Sequence, residues 1–179
     1  MKVLLVNGSP HKNGSTYVAL REVETALNNE GIETSIVWLG TEAISGCLAC
    51  GYCSRNGKCV KNDIVNDFAQ RAKNADGFVF GTPVHYAGAS GAIVSFLDRL
   101  FISTPFDKTM KVGASVSIAR RAGTTTTMDA LNKYFLISEM HVIGSSYWND
   151  VHGRRPGEAA EDLEGMQTMG NLAENMTFL

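Results

Sequence analysis

The chain alternates short apolar runs with amphipathic stretches five times, and this alternation constrains the fold more than any other feature. Residues 2–7 form an aliphatic run without polar alternation, as expected of a parallel strand buried on both faces. Ser15 or Thr16 is predicted to cap the next helix, which Gly31 ends. Further strands are predicted at 34–39, 77–81 (stopped by Thr82 and Pro83), 112–118 and 142–144, with helices at 63–72, around 93–100, at about 124–137 and at 159–176. This order predicts an α/β fold with a parallel sheet, helices on both faces and right-handed crossovers.

The length, charge and hydropathy of the chain indicate a single domain and argue against nucleic-acid and membrane partners. A chain of 179 residues fits one domain, and 16 Lys plus Arg against 18 Asp plus Glu form no charged tail. A nucleic-acid partner is therefore not expected. No apolar run approaches membrane-spanning length, so we expect no membrane partner and a cytoplasmic location.

A loop rich in hydrogen-bond donors follows the first predicted strand. Its candidate anion-binding residues are Ser9, His11, Asn13, Gly14, Ser15 and Thr16. Side-chain donors beside the free amides of a helix N-terminus can bind a phosphate dianion. The loop lacks the lysine of a nucleoside-triphosphate loop, and Pro10 breaks the G-x-G-x-x-G pattern. An ordinary strand-to-helix turn is the alternative.

All four cysteines of the chain lie within thirteen residues, spaced Cys47-x2-Cys50-x2-Cys53-x5-Cys59. Four thiolates are the usual ligands of a 4Fe-4S cluster, and the spacing is close to the bacterial ferredoxin run, with a longer final gap and no following proline. Structural zinc usually takes two separated C-x2-C arms. Zinc, two disulfides and free thiols remain alternatives to a cluster.

Residues 7–16 and 81–88 together resemble the NAD(P)H-dependent FMN reductases of the flavodoxin-like superfamily, and the cysteine spacing resembles that of the iron-sulfur flavoproteins. The resemblance runs almost end to end and includes a tail at 148–158 and 162–166. It implies a flavodoxin-like three-layer sandwich with a five-stranded parallel sheet in the order 2-1-3-4-5. Residues 1–179 would form a single FMN-binding domain with a cysteine-rich loop at about 40–62.

The resemblance also implies that FMN contacts the loops after the third and fourth strands. Relatives usually carry an aromatic residue where His85 stands, so stacking, hydrogen bonding, packing and capping of a carbonyl are all open for it. Arg120 and Arg121 replace small residues and can neutralise a reduced flavin, bind the phosphate of NADPH or remain solvated. The candidate FMN-binding residues in these loops are Pro83, Val84, His85, Tyr86, Gly88, Arg120 and Gly123.

The function implied is that of an FMN-dependent oxidoreductase that passes electrons between FMN and a 4Fe-4S cluster on the four cysteines, with NAD(P)H as a donor. No catalytic residue is assigned, because flavin chemistry needs position and electrostatics more than a protein acid or base. Alternatives are a cluster-free reductase of quinones, nitro compounds or flavins, a non-enzymatic carrier, and an idle fold with a zinc or thiol element. We expect a small-molecule or protein redox partner and assembly as a homodimer or homotetramer.

Overall fold

The computed structural model describes residues 1–104, 106–155 and 157–179, and this part of the chain contains seven strands and seven helices. The strands are β1 (Lys2–Asn7), β2 (Glu33–Trp38), β3 (Gly77–His85), β4 (Gly88–Ala89), β5 (Val112–Ala119), β6 (His141–Val142) and β7 (Asp150–His152). The helices are α1 (Ser15–Asn29), α2 (Tyr52–Asn56), α3 (Ile64–Ala72), α4 (Gly91–Ser103), α5 (Thr124–Leu136), α6 (Glu158–Glu161) and α7 (Leu163–Phe178).

The main sheet is parallel and has the order β2-β1-β3-β5-β6. Because β5 and β6 are the fourth and fifth strands of the predicted series, this order confirms the flavodoxin-like arrangement. Ligands of such sheets bind beyond the carboxyl ends of the strands, where the strand order reverses. Here the reversal lies between β1 and β3, so the loops after these two strands are expected to hold the ligand.

Both faces of the sheet are buried, which explains the continuous apolar runs of its strands. Successive residues of β1 point to opposite faces: Val3 and Leu5 pack towards α1 and α7, whereas Leu4 and Val6 pack towards α3, α4 and α5. The second face is rich in aromatic rings, and Phe80 stacks on Phe135 with ring centroids 5.1 Å apart. The sheet is therefore the middle layer of a three-layer sandwich.

Two predictions near the candidate ligand loops were wrong. Neither Ser15 nor Thr16 caps α1: Gly14 is the N-cap, and Ser15 begins the helix. Proline was expected to stop the third strand, yet β3 continues through Pro83 to His85. Pro83 forms the last pair between β3 and β5, and the next residues of β3 pair with β4 in a hairpin. At the end of a pairing, the missing N–H of proline is tolerated.

The end of the chain also differs from the predicted pattern. The expected strand at 142–144 is present as β6, at 141–142, and β7 at 150–152 was not predicted. The two strands pair with different parts of β5. The expected helix at 159–176 is divided at Asp162, whose carboxylate accepts the N–H of Gly165 and caps α7. The irregular segment predicted at 40–62 contains the short helix α2. Pro156, one residue of the tail used for the resemblance, lies outside the described residues.

Among the described residues, none of the helices has both the length and the apolar character that crossing a membrane requires.

Candidate functional site

The loop between β1 and α1 is held in place by its own hydrogen bonds. The Asn7 side chain accepts the N–H of Ser9 at 3.0 Å and donates to the carbonyl of Lys12 at 3.0 Å. The Ser9 hydroxyl accepts the N–H of His11 at 3.1 Å. Trp38, at the end of β2, donates its indole N–H to the Ser9 carbonyl at 2.8 Å. The shape of the loop is therefore held by contacts within the protein.

This loop borders a cavity of about 520 Å³, which we call the anion cavity. Val18 is the first residue of α1 whose N–H reaches an acceptor within the helix, the Gly14 carbonyl at 3.1 Å. The N–H groups of residues 15–17 are the free donors of the helix N-terminus, and the helix dipole favours an anion beside them. The anion cavity is lined by Pro10, His11, Lys12, Asn13, Gly14, Ser15, Trp38, Arg154 and Arg155.

The six loop residues predicted to bind an anion divide into two groups. His11, Asn13, Gly14 and Ser15 line the anion cavity. Ser9 is buried at 5% exposure and Thr16 at 2%, and neither lines it. The Ser9 hydroxyl instead fixes the loop, as described above.

Arg154 and Arg155 are cavity residues that the sequence did not single out. Their backbone N–H groups donate to one carboxylate oxygen of Glu158, at 2.7 and 3.0 Å. The N–H groups of Arg155 and Arg154 lower the pKa of that carboxyl below its ordinary value. This contact fixes the backbone from which the two guanidinium groups approach the anion cavity. The sequence signal that could have found them is two adjacent arginines in the segment after β7, some 140 residues after the loop.

The loops after β1 and β3 are joined at the same edge of the sheet. The N–H of Gly8 donates to the Gly81 carbonyl at 2.9 Å, and the Ser90 hydroxyl donates to the Gly8 carbonyl at 2.8 Å. A Cβ atom on Gly8 would lie 2.8 Å from the Cβ of Ile93 in α4. Glycine is therefore required at this position by close packing.

The β3–β4 hairpin presents its turn at this edge. Tyr86 and Ala87 form the turn, and their φ angles of 51° and 59° are those a type I′ turn requires at both central positions. Non-glycine residues in this region carry a strain of about 1–2 kcal/mol each. The turn packs on the loop after β5, where a Cβ on Gly123 would lie 2.7 Å from the Cα of Ala87 and 3.0 Å from Val84. The structure thus brings Val84 and Gly123 together.

The side chains around this turn face solvent. His85 is exposed, and its ring makes no hydrogen bond to a described residue, so the capping alternative is not observed. Tyr86 is fully exposed. Gly88 has room for a side chain, because a Cβ there would meet only the His85 carbonyl, at 3.7 Å. Pro83 is half-buried within β3.

The loop after β5 carries the two predicted arginines at the surface. Arg120 and Arg121 are both exposed, and neither forms an ion pair with a residue in the described ranges. The Arg121 carbonyl lies 3.0 Å from the Nε2 atom of His152 in β7. That contact ties the backbone of the loop to the sheet and leaves both guanidinium groups available to an anion.

The four cysteines border a second cavity, of about 270 Å³, which we call the cysteine cavity. All four are free thiols, so the disulfide alternative is not observed. Glycines in left-handed backbone flank α2, at Gly51 and Gly57, and let the chain fold back around the cavity. Its wall is mostly apolar and includes the exposed side chains of Leu48 and Ile102.

A buried arginine closes the cysteine cavity from the side of α4. Arg99 is 1% exposed and makes a two-point ion pair with Asp63, at 2.6 and 2.8 Å. Its Nε–H points to the Sγ atom of Cys59 at 3.3 Å, and its other donors reach the carbonyls of Ser45 and Lys61. The hydrogen bonds that Arg99 donates to Asp63 and, to a smaller extent, to Cys59 raise the pKa of Arg99 against the opposing effect of burial.

The cysteine cavity fits a sulfur-ligated group by its donor set, although the thiols have not converged on one point. Within residues 1–104, 106–155 and 157–179, no three His, Cys, Asp or Glu side chains lie close enough together to hold a single metal ion. All four thiols nevertheless border one cavity, and the buried Ser103 hydroxyl that borders it has no hydrogen-bond partner. Four cysteines around one space are the donor set of an iron-sulfur cluster, a group wide enough to be reached from separated positions.

Comparison with known proteins gives consistent results. The family model described as NADPH-dependent FMN reductase matches residues 1–154. An iron-sulfur flavoprotein from Methanocaldococcus jannaschii is 33% identical over 187 residues, covering 98% of this chain and 95% of that protein.

Two solved structures share the fold. An NAD(P)H:quinone oxidoreductase from Methanothermobacter marburgensis superimposes with a TM-score of 0.74 at 15% identity, covering 98% of this chain and 96% of the other. A flavodoxin from an archaeon gives a TM-score of 0.64 at 14% identity, covering 98% and 99%.

Proposed function

Because the chain belongs to the NADPH-dependent FMN reductase family and is therefore an FMN-dependent oxidoreductase, we propose that it passes electrons between FMN and an iron-sulfur cluster held by Cys47, Cys50, Cys53 and Cys59. FMN supplies the chemistry that links two-electron donors to one-electron carriers. One observation carries the proposal: four free thiols border a single cavity that is separate from the anion cavity. The M. jannaschii relative is named an iron-sulfur flavoprotein, which supports the same assignment.

We propose that the FMN phosphate occupies the anion cavity. The free amides at the start of α1, with the Ser15 hydroxyl and the Asn13 amide, would donate to its oxygens, and Arg154 and Arg155 would balance its charge. The hydrogen bonds that hold the loop favour this assignment, since a fixed array of donors binds an anion with little ordering cost.

The isoalloxazine ring would then lie along the β3–β4 turn. Val84, His85 and Tyr86 would offer backbone N–H groups and a flat surface beside Pro83 and Gly88, and the packing of Gly123 under Ala87 keeps that surface in place. Arg120 projects from the adjacent loop and would stabilise the negative charge of a reduced flavin. The space beside Gly88 lets the ring approach the main chain.

A cluster-free NAD(P)H-dependent reductase is the second candidate. The description of the family model names NADPH, the donor that such a reductase would use. In this version the flavin site takes hydride from NAD(P)H and passes it to a quinone, a nitro compound or a free flavin. The four cysteines would then be thiols without a redox role.

The experiment that separates the two is anaerobic purification followed by FMN, iron and acid-labile sulfide analysis. About four irons and four sulfides per chain, with one FMN, would support the cluster. FMN without iron or sulfide, together with steady NADPH oxidation by an organic acceptor, would support the second candidate.

We also propose that the chain assembles as a homodimer or homotetramer. Tyr147 and Trp148 are 54% and 56% exposed and pack edge-to-face on each other. Exposed aromatic side chains are enriched at interfaces. Light scattering coupled to gel filtration measures the assembly state directly, and a monomer at micromolar concentration would contradict the proposal.

A further inference from the structure

Arg99 is buried in a position where an arginine is seldom found. Fully buried arginines are rare unless they are paired, and Asp63 supplies that pair. The two-point contact uses the terminal nitrogen atoms of the guanidinium group and leaves the Nε–H free to point at the Cys59 sulfur. Arg99 is thus aimed at a thiol by contacts that fix its orientation.

Ser103 lies one helical turn beyond Arg99, on the same face of α4. Its side chain is buried at 5% exposure and borders the cysteine cavity. In the described part of the chain, its Oγ atom is the one buried side-chain oxygen or nitrogen without a hydrogen-bond partner. Buried hydroxyl groups are normally paired, so this one calls for an acceptor that enters the cavity.

We infer that Arg99 and Ser103 are positioning residues that donate hydrogen bonds to the sulfur atoms of the group in the cysteine cavity. The inference rests on the proposed function, because it takes that group to be an iron-sulfur cluster. Arg99 donates to the thiolate of Cys59, and Ser103 donates to a sulfur of the cluster or of a second cysteine. Neither residue gains or loses a proton or an electron.

The consequence is a higher reduction potential than four cysteines alone would give. One electron arriving from reduced FMN adds one negative charge to the cluster and its sulfur ligands, and no bond at Arg99 or Ser103 breaks. A cationic donor and a hydroxyl donor stabilise the reduced form more than the oxidised form. Hydrogen bonds to the sulfurs are one of the established controls of cluster potential. The same residues make the cluster a better acceptor for electrons from the flavin.

The decisive variant is Ser103→Ala, which removes one oxygen and leaves the Arg99–Asp63 pair intact. Ser95→Ala is the matched control, because it makes the same change on the same helix at a residue that does not border the cavity. Potentiometric titration of anaerobically purified protein measures the reduction potential of the cluster. In Ser103→Ala we expect the equilibrium constant for reduction to be about tenfold lower, which corresponds to a potential about 59 mV lower for one electron. Ser95→Ala should match the wild type.

Arg99→Lys tests the second donor. Lysine keeps the positive charge but cannot make the two-point contact with Asp63 and donate to Cys59 at once. We expect a lower potential and an altered electron paramagnetic resonance spectrum of the reduced cluster. In the cluster-free protein, we also expect faster hydrogen exchange of the amides at 45–63, because Arg99 ties the carbonyls of Ser45 and Lys61.

The outcomes separate this inference from the function on which it rests. Wild-type protein that holds FMN but no iron or sulfide would overturn the proposed cluster, and the inference with it. If wild-type protein that holds the cluster has the same reduction potential as Ser103→Ala, the proposed role of Ser103 is overturned and that of Arg99 is unaffected. An unchanged reduction potential in Arg99→Lys protein that holds the cluster would show that Arg99 only stabilises the fold.

Discussion

Two loops that follow neighbouring strands of the sheet are built in different ways. The loop after β1 spans residues 8–14 and is fixed by Asn7, Ser9 and Trp38. The segment after β2 spans residues 40–62 and is largely exposed. Within the described chain, polar contacts between residues 40–61 and other elements run through the side chains of Arg99 and Asn66.

This difference indicates how each loop depends on its ligand. The first loop is held by hydrogen bonds among its own residues and from Trp38, so the protein itself positions its donors. The second is tied to α4 through Arg99, which reaches the carbonyls of Ser45 and Lys61 near its two ends. Within the described residues, its middle part, 46–58, makes no hydrogen bond to another element. A bound group would complete the second loop, because metal binding commonly supplies folding free energy to the segment that holds it.

Replacement of one cysteine is the strongest test of this contrast. In Cys53→Ser we expect loss of nearly all iron and sulfide, because the set of four thiolates is broken. FMN content should stay at the wild-type level, since the anion cavity lies elsewhere. Iron, sulfide and flavin are measured on the same anaerobic preparation. Loss of FMN together with iron would show that the two loops are not independent.

A pair of glycine substitutions tests the same contrast through stability. Gly8→Ala places a Cβ 2.8 Å from Ile93 and 3.1 Å from the Gly81 carbonyl, and overpacking of this kind costs about 1–3 kcal/mol. Gly46→Ala in the cysteine segment meets nothing within 4 Å. We expect it to stay within about 0.5 kcal/mol of the wild type. Denaturant unfolding of the FMN-free protein measures both changes, and equal effects would contradict the picture of one packed and one open loop.

Removal of the cations at the anion cavity should weaken FMN binding moderately. For Arg154→Ala or Arg155→Ala we expect a dissociation constant about tenfold higher, or about 1.4 kcal/mol, because a charge-assisted contact to phosphate is lost. Arg55→Ala, an exposed arginine of α2, is the matched control and should bind FMN normally. Flavin fluorescence titration measures the three constants. Unchanged binding in both cavity variants would place the phosphate elsewhere.

The smallest expected effect concerns the pH dependence of the segment that carries these arginines. The Glu158 carboxylate has a pKa below its ordinary value because it accepts two backbone N–H groups. A lowered pKa in the folded state contributes stability above the unfolded pKa of about 4.3, and this stability is lost as the pH falls through the folded value. Glu158→Gln should therefore be slightly less stable than wild type at pH 7.

The difference between Glu158→Gln and wild type should shrink as the pH falls below about 4. Glu161→Gln, in the same short helix, is the control. Thermal unfolding across this range checks the prediction, and a gap that persists in acid would assign the contribution to packing.

The sheet was predictable from sequence because its strands are buried on both faces. The predicted bounds of β1 match the structure, and α3 begins one residue after its predicted start because Asp63 is its N-cap. The hairpin after β3 was missed because Pro83 normally ends a strand, and only the register shows that it stands at the end of the pairing with β5.

The sites were predictable where ligand residues are close in sequence. The four cysteines and the loop after β1 each form a local pattern. Arg99 was not visible, because a charged residue beside Leu100 in an amphipathic helix is normally assigned to the exposed face. Its partner Asp63 is 36 residues away. Arg154 and Arg155 were missed for the same reason, since only the folded chain brings them to the anion cavity.

The pairing of β5 with two short strands, β6 and β7, also affects how copies of the chain can meet. β6 and β7 cover only the two ends of β5, and the chain between them leaves the sheet in a segment held by Asn149, whose amide donates to the Ile143 carbonyl. An incoming strand finds two short, separated ladders on this side instead of a continuous row of backbone donors and acceptors. Short and interrupted edges oppose edge-to-edge aggregation. On this side, the molecule is therefore protected against growth into extended β-sheet aggregates by its own chain path.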